Sequence, residues 1–402
     1  EIQLGGSYRQ YRLNSSGTIY TDADGPITYS EYGLYTQVQK KFMEEDRLKL
    51  TASLRYDKSE LFDGFFSPRV SLGYTAGESG NHNFRASYQT GFRNPTTQDL
   101  YIGLNAGRGI LVGSAPDNPA RDVRPFDLSP TGTAITGSPT INLSGEGVYN
   151  NSFTASSAAA FAASRNPADL VIANPDYVKP EQVTSYEVGY RGKLNKVTVD
   201  VSAYYSSYEN FLSGQNVVVP YYGDVQLTQT VPTPGGPLPA AIVALGSGDW
   251  QGYQSYTNTD ANVNSYGAAL GVEMKIWGNY DLGMNYTYAK LDFNQADDPD
   301  FVTNFNTPEH KVKASFGNTA LFKNFGFNVA WRWSDTYLWE ATFGDGQIPA
   351  YHVVDAQISY NAPSIKSAFK LGASNVLGDE YYTAFGTGYI GSQYYVSWTI
   401  NP

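Results

Sequence analysis

Most catalytic and metal sites are built from histidine, cysteine and grouped carboxylates, and this chain of 402 residues is sparing with the first two. It has no cysteine and three histidines, His82, His310 and His352, each in a separate stretch. No Ser/His/Asp grouping or thiol nucleophile follows from their spacing, so no catalytic residue is expected and no enzyme is read. Gly107-Arg108-Gly109 lacks the Lys-Ser/Thr that a phosphate-cradling loop requires, and no cofactor is expected. Asp297, Asp298 and Asp300 in "NQADDPD" bring hard oxygen ligands together, a weak candidate for Ca²⁺. Their spacing is not that of an EF-hand, and a solvated acidic loop is the favoured reading. "DNPARDVRPFD" sets Arg121 and Arg124 among Asp117, Asp122 and Asp127; it can take an anionic ligand or fold on its own ion pairs, and the second is favoured. Better ligand candidates are Tyr221, Tyr222, Trp250, Tyr253 and Tyr256, beside the Pro- and Gly-rich "VPTPGGPLP". Exposed flat rings suit stacking on sugars, aromatic siderophores or peptides; packing of the loop against its neighbours is the competing reading.

What positions these residues is a chain with 27 basic and 38 acidic residues, a formal net charge of −11. That balance argues against nucleic acid as a partner, because phosphate is repelled. No run of 18 or more apolar residues occurs, and the most apolar segment, "SSAAAFAAS", is too short to span a bilayer. A mean hydropathy of −0.38 does not exclude a membrane protein, since every second residue of a transmembrane barrel faces a wet interior. The 33 Tyr, 20 Phe and 6 Trp are the residues that settle at membrane interfaces.

"NYDLGMNYTYAKLDF" (279–293) alternates strictly: Tyr280, Leu282, Met284, Tyr286 and Tyr288 on one parity, Asp281, Gly283, Asn285, Thr287 and Ala289 on the other. A period of two is a strand with one apolar and one polar face. The pattern recurs in about fourteen segments, most near the ten residues a tilted strand needs to cross a bilayer. They fall near 1–12, 30–42, 47–57, 66–76, 82–92, 183–194, 196–210, 262–277, 279–293, 308–318, 322–336, 350–361, 367–377 and 391–401. Connections alternate between short turns such as "MEED" and "GESG" and longer loops, two of them very long, near 93–180 and 211–260. A soluble sandwich has no reason to sort its loops this way, whereas outer-membrane barrels have short periplasmic turns and long extracellular loops. The fold class is therefore all-β, a transmembrane antiparallel up-and-down barrel. Arg55, Arg85, Glu187, Arg191, Lys311, Lys313 and Arg332 fall on the polar parity and are expected to face the lumen.

Two phrases narrow this further: "YQTGFRNPTTQDLY" (88–101) ends one strand and "NPDYVKPEQVTSYEVGYRG" (174–192) opens the next. With the C-terminal "FKLGASNVLGDEYYTAFGTGYIGSQYYVSWTI", they resemble the TonB-dependent outer-membrane receptors over the whole chain. The resemblance implies a barrel of roughly 22 strands, of which residues 1–402 are the C-terminal portion, with roughly eight strands and an N-terminal plug domain upstream. It also implies residence among the lipids of a Gram-negative outer membrane, a nutrient ligand, TonB acting through the missing plug, and room for a surface lipoprotein lid. The function implied is TonB-energised import of a siderophore complex, oligosaccharide or oligopeptide. One departure is the ending "TINP", where the family usually ends on an aromatic residue.

Two rivals stay open at the level of sequence. A complete porin or fatty-acid-type channel of about fourteen strands would pair its first strand with its last. A cell-surface β-domain for adhesion would be soluble without detergent.

Overall fold

The computed structural model describes all residues except 108, 342–343 and 401–402, so the terminal residues of "TINP" lie outside the described part. Fourteen strands hydrogen-bond in chain order into one sheet. β1 (Ile2–Leu13), β2 (Ile27–Phe42), β3 (Leu48–Ser59), β4 (Phe65–Ala76) and β5 (His82–Arg93) precede the first long loop. β6 (Glu181–Leu194) and β7 (Val197–Glu209) stand between the two long loops. β8 (Val263–Ile276), β9 (Tyr280–Asp292), β10 (His310–Phe322), β11 (Phe325–Ser334), β12 (Tyr351–Ala362), β13 (Ser367–Ser374) and β14 (Gln393–Ile400) complete the wall. Every neighbouring pair is antiparallel, an up-and-down order. β1 and β14 each have a single neighbour, so the wall does not close on itself, and the closed-channel rival loses the pairing it requires.

Register carries the alternation from strand to strand. Met284 stands opposite Val272 and Ala314, and Val272 opposite Val199, an apolar row. Asn285 stands opposite Gly271 and Lys313, and Gly271 opposite Asp200, a polar row. On the apolar face Tyr88, Tyr186, Tyr205 and Tyr266 line up across β5, β6, β7 and β8 near the loop ends. Towards the short turns, Tyr74, Phe84 and Tyr190 form a second row. Farther along, Trp277, Tyr280, Phe316 and Phe327 pack their rings 5.5–6.5 Å apart. Two aromatic levels flanking a Val-, Leu- and Ala-rich band are the outer surface of a membrane barrel.

The polar face is rich in glycine for a local reason. A Cβ at Gly189 would meet the Arg85 guanidinium at 2.5 Å, so the glycine lets a long cation lie flat along the wall. Gly267 does the same for the ring of Tyr204 on the facing strand, where a Cβ would meet it at 2.6 Å.

The long loops are themselves folded. Leu212–Pro220 pairs with Trp250–Asn258 from Leu212 opposite Asn258 to Pro220 opposite Trp250. Ile110–Val112 lies parallel beside Tyr253–Ser255, and Phe153–Thr154 flanks the other side. With Gly103–Asn105 these make a second, five-stranded sheet. Its core is Ile110, Val112, Val148, Tyr149, Val217, Val219 and Tyr253, all buried.

Candidate functional site

The site begins where β5 ends. Thr96 caps the helix Thr97–Tyr101: its hydroxyl accepts from the Asp99 amide at 3.2 Å, and Asp99 accepts from the Thr96 amide at 2.7 Å. This reciprocal capping box turns the chain sharply and drives Leu100 and Tyr101 against Leu13, Ile27 and Tyr29. Tyr11 and Tyr29 share the parity of Ser7, Arg9, Glu31 and Gly33, so the loop is folded onto the polar face of β1 and β2. Burial, with Asp117 nearby, pushes the Tyr101 hydroxyl up to about 12. Asn94 donates to Glu31 at 2.7 Å. At the loop's base, buried Glu181 accepts from Arg93 at 2.9 Å and from the Leu212 amide at 3.0 Å, joining β5, β6 and the second long loop.

The two long loops are then tied to each other by Asp249, which is 1% exposed. Its carboxylate accepts from the Ser129 amide at 2.7 Å, the Ser129 hydroxyl at 2.8 Å and the Tyr222 hydroxyl at 3.0 Å. Burial and the bond to Asp249 both hold the Tyr222 hydroxyl above its ordinary value, so it stays a neutral donor.

The five loop aromatics are brought into one layer but not into one role. Tyr221 and Tyr253 are buried, Tyr221 against Phe126 with ring centroids 5.0 Å apart. Tyr222 is engaged by Asp249, and Tyr256 accepts from Gln98 at 3.0 Å. Trp250 is 42% exposed, so exposed stacking describes this ring and not Tyr221 or Tyr253. Arg121 pairs with Asp117 at 2.5 Å and Arg124 with Asp122 at 2.7 Å, both within the same stretch of chain. Burial holds Asp122 above the usual carboxylate value in spite of Arg124.

Along the wall, Arg55 pairs with Asp57 at 2.5 Å and donates to Ser7 at 3.2 Å. Arg85 reaches Glu187 and Asp200, each at 3.4 Å, and Arg191 reaches Asp200 at 3.9 Å. Arg332 reaches Asp355 at 3.5 Å. Among the described residues Lys311 and Lys313 form no ion pair, and Lys313 stands directly opposite Arg332. A cavity of about 430 Å³ on this face is lined by Arg9, Glu31, Arg55, Asp57, Lys58 and Tyr11 beneath the loop from Asn94 to Thr97.

The remaining candidates are separated. Asp298 accepts from Thr259 at 2.6 Å and Asp297 from Asn294 at 2.9 Å. Among the described residues no group of three His, Cys, Asp or Glu is arranged to hold a metal ion. His82 and His310 each share a hydrogen bond with a tyrosine hydroxyl, Tyr190 at 2.9 Å and Tyr286 at 2.8 Å. His352 lies 3.8 Å from Asp379.

Sequence reasoning missed Asp249 and a larger cavity. That cavity, about 900 Å³, lies between the helix Ala155–Ser164 and the loop sheet, with Trp250, Tyr253, Leu245, Val217 and Val218 among its walls. The one available signal was the alanine spacing in "SSAAAFAAS", which leaves a helix face too small to fill the space beside it.

The family model "TonB dependent receptor-like, beta-barrel" matches residues 1–376. Solved structures with the same architecture include the siderophore receptor PirA from Acinetobacter baumannii (12% identity, TM-score 0.59, covering 99% of this chain and 51% of that one). The FrpB iron transporter from Neisseria meningitidis is equally similar (12%, 0.59, covering 99% and 52%). A mutant of the ferric enterobactin receptor PfeA from Pseudomonas aeruginosa matches at 13% identity and TM-score 0.61, covering 99% and 50%. This chain thus spans about half the length of the structures it matches. No curated protein matches it in sequence. TonB-dependent receptors are an outer-membrane class of transporters and not enzymes, and the open polar-faced wall, the folded loop layer and the family match together place this chain in the TonB-dependent receptor β-barrel family.

Proposed function

We propose that this chain forms the C-terminal wall and the extracellular loop layer of an active transporter in a Gram-negative outer membrane. It binds a scarce nutrient of siderophore, oligosaccharide or oligopeptide size and imports it with energy delivered by TonB to a plug region. The observation that carries this reading is the loop layer. A diffusion pore needs its mouth clear, whereas here two long loops share one sheet, one hydrophobic core and the Asp249 tie, and fold onto the polar face of β1 and β2. Such a layer holds a ligand at the mouth, and passage then requires work. An open wall of fourteen strands encloses no pore, so the reading calls for further wall strands from a longer protein. The similarity to siderophore receptors and to an iron transporter supports a metal chelate as cargo; a surface lipoprotein lid is not required by it.

The test is uptake of a labelled nutrient panel by cells with and without the intact protein. At least one nutrient should lose high-affinity uptake on deletion, and the same uptake should collapse when the proton gradient is dissipated. Uptake that is linear with concentration and indifferent to the gradient would instead establish a passive channel.

A further inference from the structure

The cavity beside the helix Ala155–Ser164 has no role in folding that its lining explains. Thr154 starts the helix by accepting from the Ser157 amide at 3.3 Å. Arg165 ends it in the left-handed conformation, φ 60°, with its amide on the Phe161 carbonyl at 2.8 Å. Phe161 is buried and is the one large apolar side chain the helix gives to the cavity wall. The rest of the helix lining is Ala155, Ala158, Ala159 and Ala162, at the i, i+3, i+4, i+7 spacing of one face. A leucine at these positions would fill the gap and bury more apolar area. Opposite them stand the strand residues Val217, Val218 and Tyr253, with Trp250 partly exposed at the side. The space, about 900 Å³, is within the range of small-molecule pockets, roughly 300–1,000 Å³.

We propose that this cavity binds a small molecule with an apolar or aromatic body and a single acidic group, the acid meeting Arg165. This rests on the transport reading only in treating that molecule as cargo. Three features of the lining select the chemistry. Among the described residues Arg165 is the one charged side chain on it; it is exposed and forms no ion pair among them, although acidic residues outnumber basic ones in the chain. Among the described residues Asn216 and Gln254 are the side-chain amides present and no carboxylate lines the space, too few directional groups for the many hydroxyls of an oligosaccharide. An oligopeptide adding as a strand would need a free edge. The strand residues that wall the cavity are paired on both sides: Val217 and Val218 between Phe153–Thr154 and Gly252–Tyr253, and Tyr253 and Gln254 between Leu212–Pro220 and Ile110–Leu111.

The probes are 2-naphthalenesulfonate, the neutral 2-naphthalenemethanol and maltotriose, titrated calorimetrically into the intact protein in lipid nanodiscs and into empty nanodiscs. Both naphthyl probes are expected to bind, and maltotriose is not. Ala159→Trp, a substitution at an exposed helix position, should weaken both naphthyl probes by more than about tenfold; Ala162→Trp should do the same if the first variant does not assemble. Arg165→Gln should weaken the sulfonate by about tenfold and change the alcohol by less than about twofold. Unchanged naphthyl affinity in both tryptophan variants, equal losses of the two probes in Arg165→Gln, or maltotriose binding that the tryptophan blocks would each overturn the site. The two readings fail separately. Probe binding lost in Ala159→Trp, in a protein whose deletion changes no uptake, supports the cavity and overturns the transport reading. Nutrient uptake that persists with wild-type affinity in Ala159→Trp overturns the cavity as the cargo site and leaves transport standing.

Discussion

Asp249 and Asp22 are two buried carboxylates, each held by several donors. Asp249 is surrounded by donors from both long loops, so removing it strands the Ser129 and Tyr222 donors in a buried place. Asp249→Ala is expected to cost about 3 kcal/mol, felt in the loop layer and not in the wall. Chymotrypsin cleavage within 211–260 on intact cells should accelerate while the heat-modifiable migration of the assembled barrel is unchanged; unaltered cleavage would remove Asp249 as the tie. Asp22, 2% exposed, lies in the connection between β1 and β2. Burial raises its pKa, but the Ser15 hydroxyl and the Gly17 and Ser15 amides outweigh this and hold it below the ordinary carboxylate value of 3.8. A depressed folded-state pKa means stability that is present above the unfolded value and lost as pH falls through the folded one. Amide protection of residues 15–20 should therefore survive at pH 5 and fade only below about 3.8. Asp22→Asn should show low protection at both ends of that window. Equal protection of wild type and variant at pH 5 would refute the assignment.

At the scale of the element, alternation became a physical orientation through register. Met284 sits in the row Val199–Val272–Met284–Ala314 and is 49% exposed, whereas Asn285 lies between Gly271 and Lys313. Met284→Arg places a charge at lipid depth and is expected to cost about 2–4 kcal/mol. Asn285→Asp adds a partner for Lys313 and should stay within about 0.5 kcal/mol of wild type. Yield of folded protein in outer-membrane fractions, with urea midpoints in vesicles, separates the two; equal tolerance of both changes would reverse the assignment of faces. The strands themselves were legible throughout, because lipid offers no hydrogen-bond partner and each spanning segment must pair along its length while its side chains alternate between two solvents. The capping box in "NPTTQDLY", not singled out from the sequence, is equally local, since Thr96 and Asp99 are three residues apart.

For the whole molecule the decisive junction is Glu181, where wall and loop layer meet. It accepts from Arg93 at the end of β5 and from the Leu212 amide, and its side chain is 10% exposed against 55% for Arg93. Glu181→Ala should cost about 2–3 kcal/mol, less than a fully buried pair because Arg93 can turn to water. Expected is normal barrel assembly with loop sites between 94 and 180 open to added protease on whole cells. Loss of the barrel together with the loops would show instead that layer and wall fold as one cooperative unit.

Composition and a period of two were sufficient by themselves for the fourteen strands, their faces and the sorting of loops, because these follow from nearest-neighbour chemistry repeated along the chain; the family came instead from the resemblance carried by "YQTGFRNPTTQDLY", "NPDYVKPEQVTSYEVGYRG" and the C-terminal phrase. Which aromatics in the loops stay exposed was decided only in three dimensions. Tyr253 and Trp250 are three residues apart and border the same cavity, yet Tyr253 is buried in the core of the loop sheet and Trp250 is exposed. Ser129 meets Asp249 across 120 residues, and Arg165 faces a space walled by residues near 217 and 250. No periodicity records such meetings. They exist because two loops too long to hold themselves open bury their apolar residues against each other, and the buried carboxylate and the unfilled cavity are consequences of that packing.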